Sequence, residues 1–145
     1  MNTATPDFTP ARHLDGFVRM HFLPCLFGVD FIRAENNVYL YADQFLVGYD
    51  GAVWDYAQIP AGGGFMAPAG QECWLFANPG NDSEERVSSE AAGIIITALV
   101  LNHRCWMYDR HDQEELCRLY NHRHRQLMAY AVTHPEAAAI LRALD

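Results

Sequence analysis

The chain contains no lysine: its basic side chains are all arginines. A phosphate loop of the G-x-x-x-x-G-K-[ST] type is therefore impossible, because that motif needs the lysine ammonium on the phosphates. No C-x-x-C pair joins any of the four cysteines, Cys25, Cys73, Cys105 and Cys117, and no H-E-x-x-H occurs. Zinc ribbons, zincins and thioredoxin-like redox motifs lose their sequence support. No G-x-S-x-G elbow is present, so the usual sequence cue for a strained serine nucleophile is missing. The amino terminus, MNTATPDFTPARHLDG, has no basic start followed by an apolar run and does not read as a signal peptide. The longest apolar run, residues 91–101, is too short to span a bilayer. Together these absences predict a cytoplasmic protein with reduced thiols and no membrane association.

Positive charge is scarce as well. The formal net charge is −8, which argues against a protein that grips nucleic acid by neutralising phosphates. The acidic residues are interleaved with arginines rather than set in long rows. That pattern does not imitate duplex DNA, which carries one charge per roughly 1.7 Å of axis.

What the chain does hold is apolar and aromatic side chains: 50% of its residues are hydrophobic and 12% aromatic. With 145 residues it has the length for one domain with a core. Residues 1–19, with two prolines in the first ten, read as a flexible arm, and residues 20–145 as a single domain. Apolar patches over residues 14–27 predict short helical turns, interrupted at Pro24 and closed near Gly28. Residues 34–45 match helical spacing. Candidate strands follow at 53–59, 64–67, 73–77 and 85–87, separated by Gly, Pro and Asn turns. Residues 88–108 open with a capping serine and continue well past strand length, so they predict a helix buried nearly all round. Leu116, Leu119, Tyr120, Leu127 and Tyr130 form one stripe of a second helix. His134-Pro135 breaks it, and residues 136–144 form a last helix. The fold class is α+β: a short antiparallel β-meander sheet packed against several helices, with a helical C-terminal third.

Residues that would carry chemistry are each explained by structure first. His103 and Cys105 lie two apart, and His122 and His124 flank Arg123, whereas helical metal ligands need i, i+3 or i, i+4 spacing. We expect no metal, no cofactor and no catalytic residues. The acids Asp109, Asp112, Glu114 and Glu115 complement a helix start. The cysteines read as buried thiols. The tract Arg118, His122, Arg123, His124 and Arg125 reads as a solvated helix face balanced by Glu114 and Glu115. Two rival classes keep named residues: a small hydrolase using Asp55, His103 or Cys105 in a pocket, and a weak nucleic-acid-binding accessory protein using residues 118–125.

The most informative stretch is residues 51–68, GAVWDYAQIPAGGGFMAP, which reads as a β-hairpin with a glycine-rich loop. Strand alternation sends Trp54 and Tyr56 to one face and Asp55 to the other. With FLPCLFG (22–28), VYLY (38–41), SSEAAGIIITALVLN (88–102) and HPEAAAILRALD (134–145), it makes the chain resemble the KlcA/ArdB family of antirestriction proteins, carried by plasmids and other mobile elements. The ordered blocks run from about residue 20 to the end. The segment 102–111 and the first nineteen residues match no family pattern, and the turn before Gly64 is one residue longer than expected.

The resemblance implies an α+β fold and relief of type I restriction of incoming unmodified DNA. It implies no cofactor and no enzymatic activity. The expected partner is the type I restriction complex or a host factor controlling it, with no direct DNA binding. Expected contact residues are Trp54, Asp55 and Tyr56, the loop Gly62, Gly63 and Gly64, and Asp145 at the carboxyl end.

Overall fold

The computed structural model describes residues 8–145. Residues 1–7 of the expected arm lie outside the described residues. Within the remainder of that arm, β1 (Arg12–His13) pairs antiparallel with β2 (Trp54–Gln58) and Leu14 is buried. Leu14 N–H also donates to the Tyr56 carbonyl. Packing thus begins upstream of residue 20.

Helix α1 (Arg19–Phe27) contains Pro24 without interruption, unlike the break expected there. The proline forfeits one intrahelical donor. Burial of Phe22, Leu23, Leu26 and Phe27 holds the segment helical instead. The helix ends at Gly28, whose φ is +69°. After a 3₁₀ turn, α2 (Phe31–Phe45) buries Ala34, Val38, Ala42 and Phe45 along one stripe, as its helical spacing predicted.

The strands are antiparallel throughout, but they form two sheets rather than one meander. Order β1-β2-β3 makes the first, with β3 at Gly64–Pro68; β4 (Cys73–Asn78) and β5 (Ser83–Ser88) make the second. An isolated bridge from Leu46 to Phe76 ties the end of α2 to β4.

Helix α3 (Ser89–Arg110) decides this arrangement. Ser88 caps it by accepting from Ala91 N–H at 3.1 Å. Every residue from Ala91 to Ala98 is buried. Ser89, Gly93 and Thr97, spaced four apart, lie along the unpaired edge of β3. Ser89 Oγ donates to the Pro68 carbonyl. Thr97 Oγ1 accepts from Met66 N–H at 3.1 Å and lies 3.5 Å from its carbonyl. A Cβ at Gly93 would fall 2.2 Å from the Met66 carbonyl oxygen, so only glycine permits this approach. An edge strand normally exposes its backbone groups; here a helix covers them, and all of β3 is buried.

Helix α4 (Glu114–Ala131) packs on α3 and presents Tyr120, Leu127 and Tyr130 to the core, while Leu116 and Leu119 are half-buried. Helix α5 (Ala137–Leu144) packs on β5 through Ile140 and Ala143. No helix among the described residues is long and apolar enough to cross a membrane.

Candidate functional site

The β2–β3 hairpin divides its candidate contact residues between core and surface. Trp54 is 5% exposed. Its indole donates to Tyr49 Oη at 3.2 Å, and its ring meets Tyr39 and Tyr49. Tyr56 is half-buried, stacked on Phe22 at 5.0 Å, with the Arg19 guanidinium 4.3 Å from its ring centroid. Burial raises the Tyr56 phenol above its ordinary value. Asp55 is half-exposed and pairs with Ala67 across the ladder.

The loop beyond is fastened to α4. Gln126 Nε2 donates to the Ala61 carbonyl at 2.9 Å, and Arg123 Nη1 donates to Gln126 Oε1 at 2.9 Å. Gly62 and Gly63 have φ of +104° and +73°, and a Cβ on either would strike Gln126. Gly64 is buried against the Ala57 carbonyl and Phe22. Arg123 Nη2 also donates to the Cys25 carbonyl at 2.9 Å. The 118–125 tract is therefore not a uniform solvated face: Arg123 is a tether, while Arg118 pairs with Glu114 at 3.3 Å. Asp145 lies elsewhere, its backbone oxygen accepting from Asn81 Nδ2 in the β4–β5 turn at 2.5 Å.

Hydrolase candidates are placed apart. His103 Nδ1 meets Tyr41 Oη at 2.8 Å, and burial lowers the imidazole's pKa. Cys105 meets Cys117, and Asp55 lies on the hairpin. The buried-thiol expectation fails for Cys25 and Cys73, which are exposed, and holds halfway for Cys105 and Cys117. The first pair sits on outward positions of α1 and β4, which periodicity alone did not assign.

Sequence reading missed a polar cluster between α2, α3 and α4. Asp30, 8% exposed, accepts from Arg104 Nη2 at 2.7 Å and Nε at 2.9 Å, and from Tyr120 Oη at 3.1 Å. Arg104 also donates to Tyr108 Oη at 2.8 Å and to Asn37 Oδ1. Burial opposes the Arg104 charge, but its bonds to Tyr108 and Asp30 outweigh it and raise the pKa. Burial, then Asp30, raises the Tyr120 phenol. Asp30 and Tyr108 open onto a groove of about 710 Å³, walled by Val29, Ile32, Met107 and Leu116 with Arg33 and His111 beside them. Val29 and Ile32 are 91% and 62% exposed. Such a groove can seat an apolar side chain beside an anionic group. Arg104 follows the apolar run of α3 within the polar stretch Asn102-His103-Arg104, and that placement was the sequence signal for the cluster.

Comparison with known proteins gives this geometry its setting. Residues 47–145 match the profile of a family described as antirestriction protein. The putative antirestriction protein YubI of Escherichia coli (strain K12) is 42% identical over 127 residues, covering 88% of this chain and 89% of that one. An antirestriction protein KlcA of Escherichia coli is 34% identical over 131 residues, covering 88% and 87%. A solved structure superposes with a TM-score of 0.80 at 33% identity, covering 100% of both chains. It is described as showing, for KlcA and ArdB, a novel fold and antirestriction activity against type I DNA restriction systems in vivo but not in vitro.

Proposed function

The chain belongs to the antirestriction protein family, and from that premise we propose that it relieves type I restriction of incoming unmodified DNA by protein contact. The full-length likeness to the KlcA and ArdB structure carries this reading. Activity of those proteins in vivo but not in vitro supports a partner that purified components lack. The target is then a host factor controlling the restriction complex, or that complex in its cellular state. The protein acts in the cytoplasm, on behalf of a mobile element, and catalyses no covalent change in its partner.

Its own electrostatics support a protein target over DNA. The net charge is −8, and the densest arginine tract is partly consumed by internal contacts. Contact is made by Asp55 and Tyr56, by the Gly62–Gly63 turn and by Asp145. Trp54 and Gly64 shape the hairpin from beneath, because both are buried.

The test is plating of unmodified phage on cells with a type I system, with and without this gene. Efficiency should rise when the gene is present; unchanged plating refutes the proposal for that system. Asp55→Ala and Asp145→Ala should each weaken protection while leaving the melting curve in place. Full protection by both variants would remove those positions.

A further inference from the structure

Cys105 lies in the last third of α3 and Cys117 in the first turns of α4, the two helices joined by a short turn. Their sulfurs stand 3.6 Å apart, and the Cys105 S–H also donates to the Cys117 carbonyl at 3.4 Å. A disulfide requires about 2.0 Å between sulfurs. Closing to a disulfide therefore requires the two sulfurs to approach by about 1.6 Å. An open depression of about 310 Å³, lined by Tyr108, Asp109, Asp112, Glu114, Cys117 and Arg118, gives a small oxidant a path to Cys117. Cys25 and Cys73, exposed on α1 and β4, are on other elements.

We propose that Cys105 and Cys117 are a reversible oxidative modification site, closing to an intramolecular disulfide when the protein meets a hydroperoxide. The Cys117 thiolate attacks the peroxide O–O bond, which breaks. Cys117 becomes a sulfenic acid, and the departing oxygen leaves as water or an alcohol after taking a proton. The Cys105 sulfur then attacks the sulfenic sulfur. The S–S bond forms, the S–O bond breaks, and hydroxide takes the Cys105 proton to leave as water. The two sulfurs together lose two electrons, and the peroxide gains them. Burial, reinforced by Cys117, raises the Cys105 thiol to about 11. Only the thiolate attacks, so this raised pKa leaves the first attack to Cys117 and makes the resolving step the slower one near neutral pH. A dithiol reductant reverses the bond.

The linkage closes a loop that includes Asp112, whose φ is +56°, and the groove residues His111 and Gln113. The disulfide therefore staples α3 to α4 and constrains one wall of the groove.

The experiment treats the full chain with a small excess of hydrogen peroxide and maps all four cysteines by peptide mass spectrometry. Melting is recorded before and after. The expected result is a Cys105–Cys117 linked peptide, removed by dithiothreitol, with Tm raised by roughly 6–12 °C. A Cys25→Ser, Cys73→Ser double variant, altered only at exposed positions, should give the same linkage. Overturning results are oxygen addition at either sulfur with no linked peptide, linkage between chains, or thiols left unreacted. A linked peptide with unchanged Tm would overturn the stapling.

Discussion

Arg104 and Asp30 have side-chain exposures of 11% and 6%, so each relies on the other in place of water. Removing one partner from a buried pair costs about 3–5 kcal/mol. Asp30→Ala should lower stability by that amount, read from urea midpoints, because it strands the Arg104 guanidinium. Tyr120→Phe deletes one bond to the same carboxylate and should cost about 1.5–3 kcal/mol. Equal, near-zero losses in both would show that solvent reaches the cluster. A second residue pair contributes to acid behaviour. The hydrogen bond from His134, at 2.6 Å, holds the Glu90 carboxyl below its usual 4.5. The unfolded chain then takes up that proton more readily than the folded one. The stabilisation is complete above the unfolded value and is lost as pH falls through the folded value. Glu90→Gln should flatten stability against pH on the acid side of 4.5. An acid limb as steep as the parent's would assign it to other carboxylates.

Helix α3 shows how an element can contradict its own propensities. Glycine inside a helix usually costs up to about 1 kcal/mol relative to alanine, so Gly93→Ala reads from sequence as stabilising. The β3 edge reverses the sign, since the added Cβ would meet the Met66 carbonyl oxygen at 2.2 Å. We expect a loss of about 1–3 kcal/mol from the forced separation of helix and strand. A Tm above the parent's would mean that α3 can slide away from β3 at little cost. The cap at Ser88 is the opposite case, local and legible. Its side chain receives Ala91 N–H while also donating to Glu136. Ser88→Ala should therefore cost about 1 kcal/mol for the cap, plus the loss of the bond to Glu136.

For the whole molecule, the question is which surfaces remain free once the hairpin, the loop and the carboxyl end have been fastened. The Gly62–Gly63 turn is held in one shape by Gln126 and Arg123. Gln126→Ala releases that shape without touching the turn itself. Lower protection in the plating assay, with an unchanged fold, is the outcome expected if the turn meets a partner. Undiminished protection would place recognition elsewhere. DNA binding by the 118–125 tract would appear as affinity that falls steeply with salt, and we expect none at low ionic strength.

Local chemistry was enough to locate helices α2 to α5, the β2–β3 hairpin, the serine cap and the glycine turn, because periodicity, capping and turn preference act within a few residues. It also placed the ordered blocks that match the family. Four features depended on long-range contacts. Pro24 stayed inside a helix because its neighbours are buried. The strands split into two sheets because α3 occupies the edge where a fourth strand would have paired. Asp30, Arg104 and Tyr120, which stand far apart in the chain, became one ionic cluster, and Trp54 left the surface for the core. Chain order specifies what each segment prefers; tertiary packing decides which faces, edges and charges remain available, since burial and desolvation are properties of neighbours that sequence does not place together.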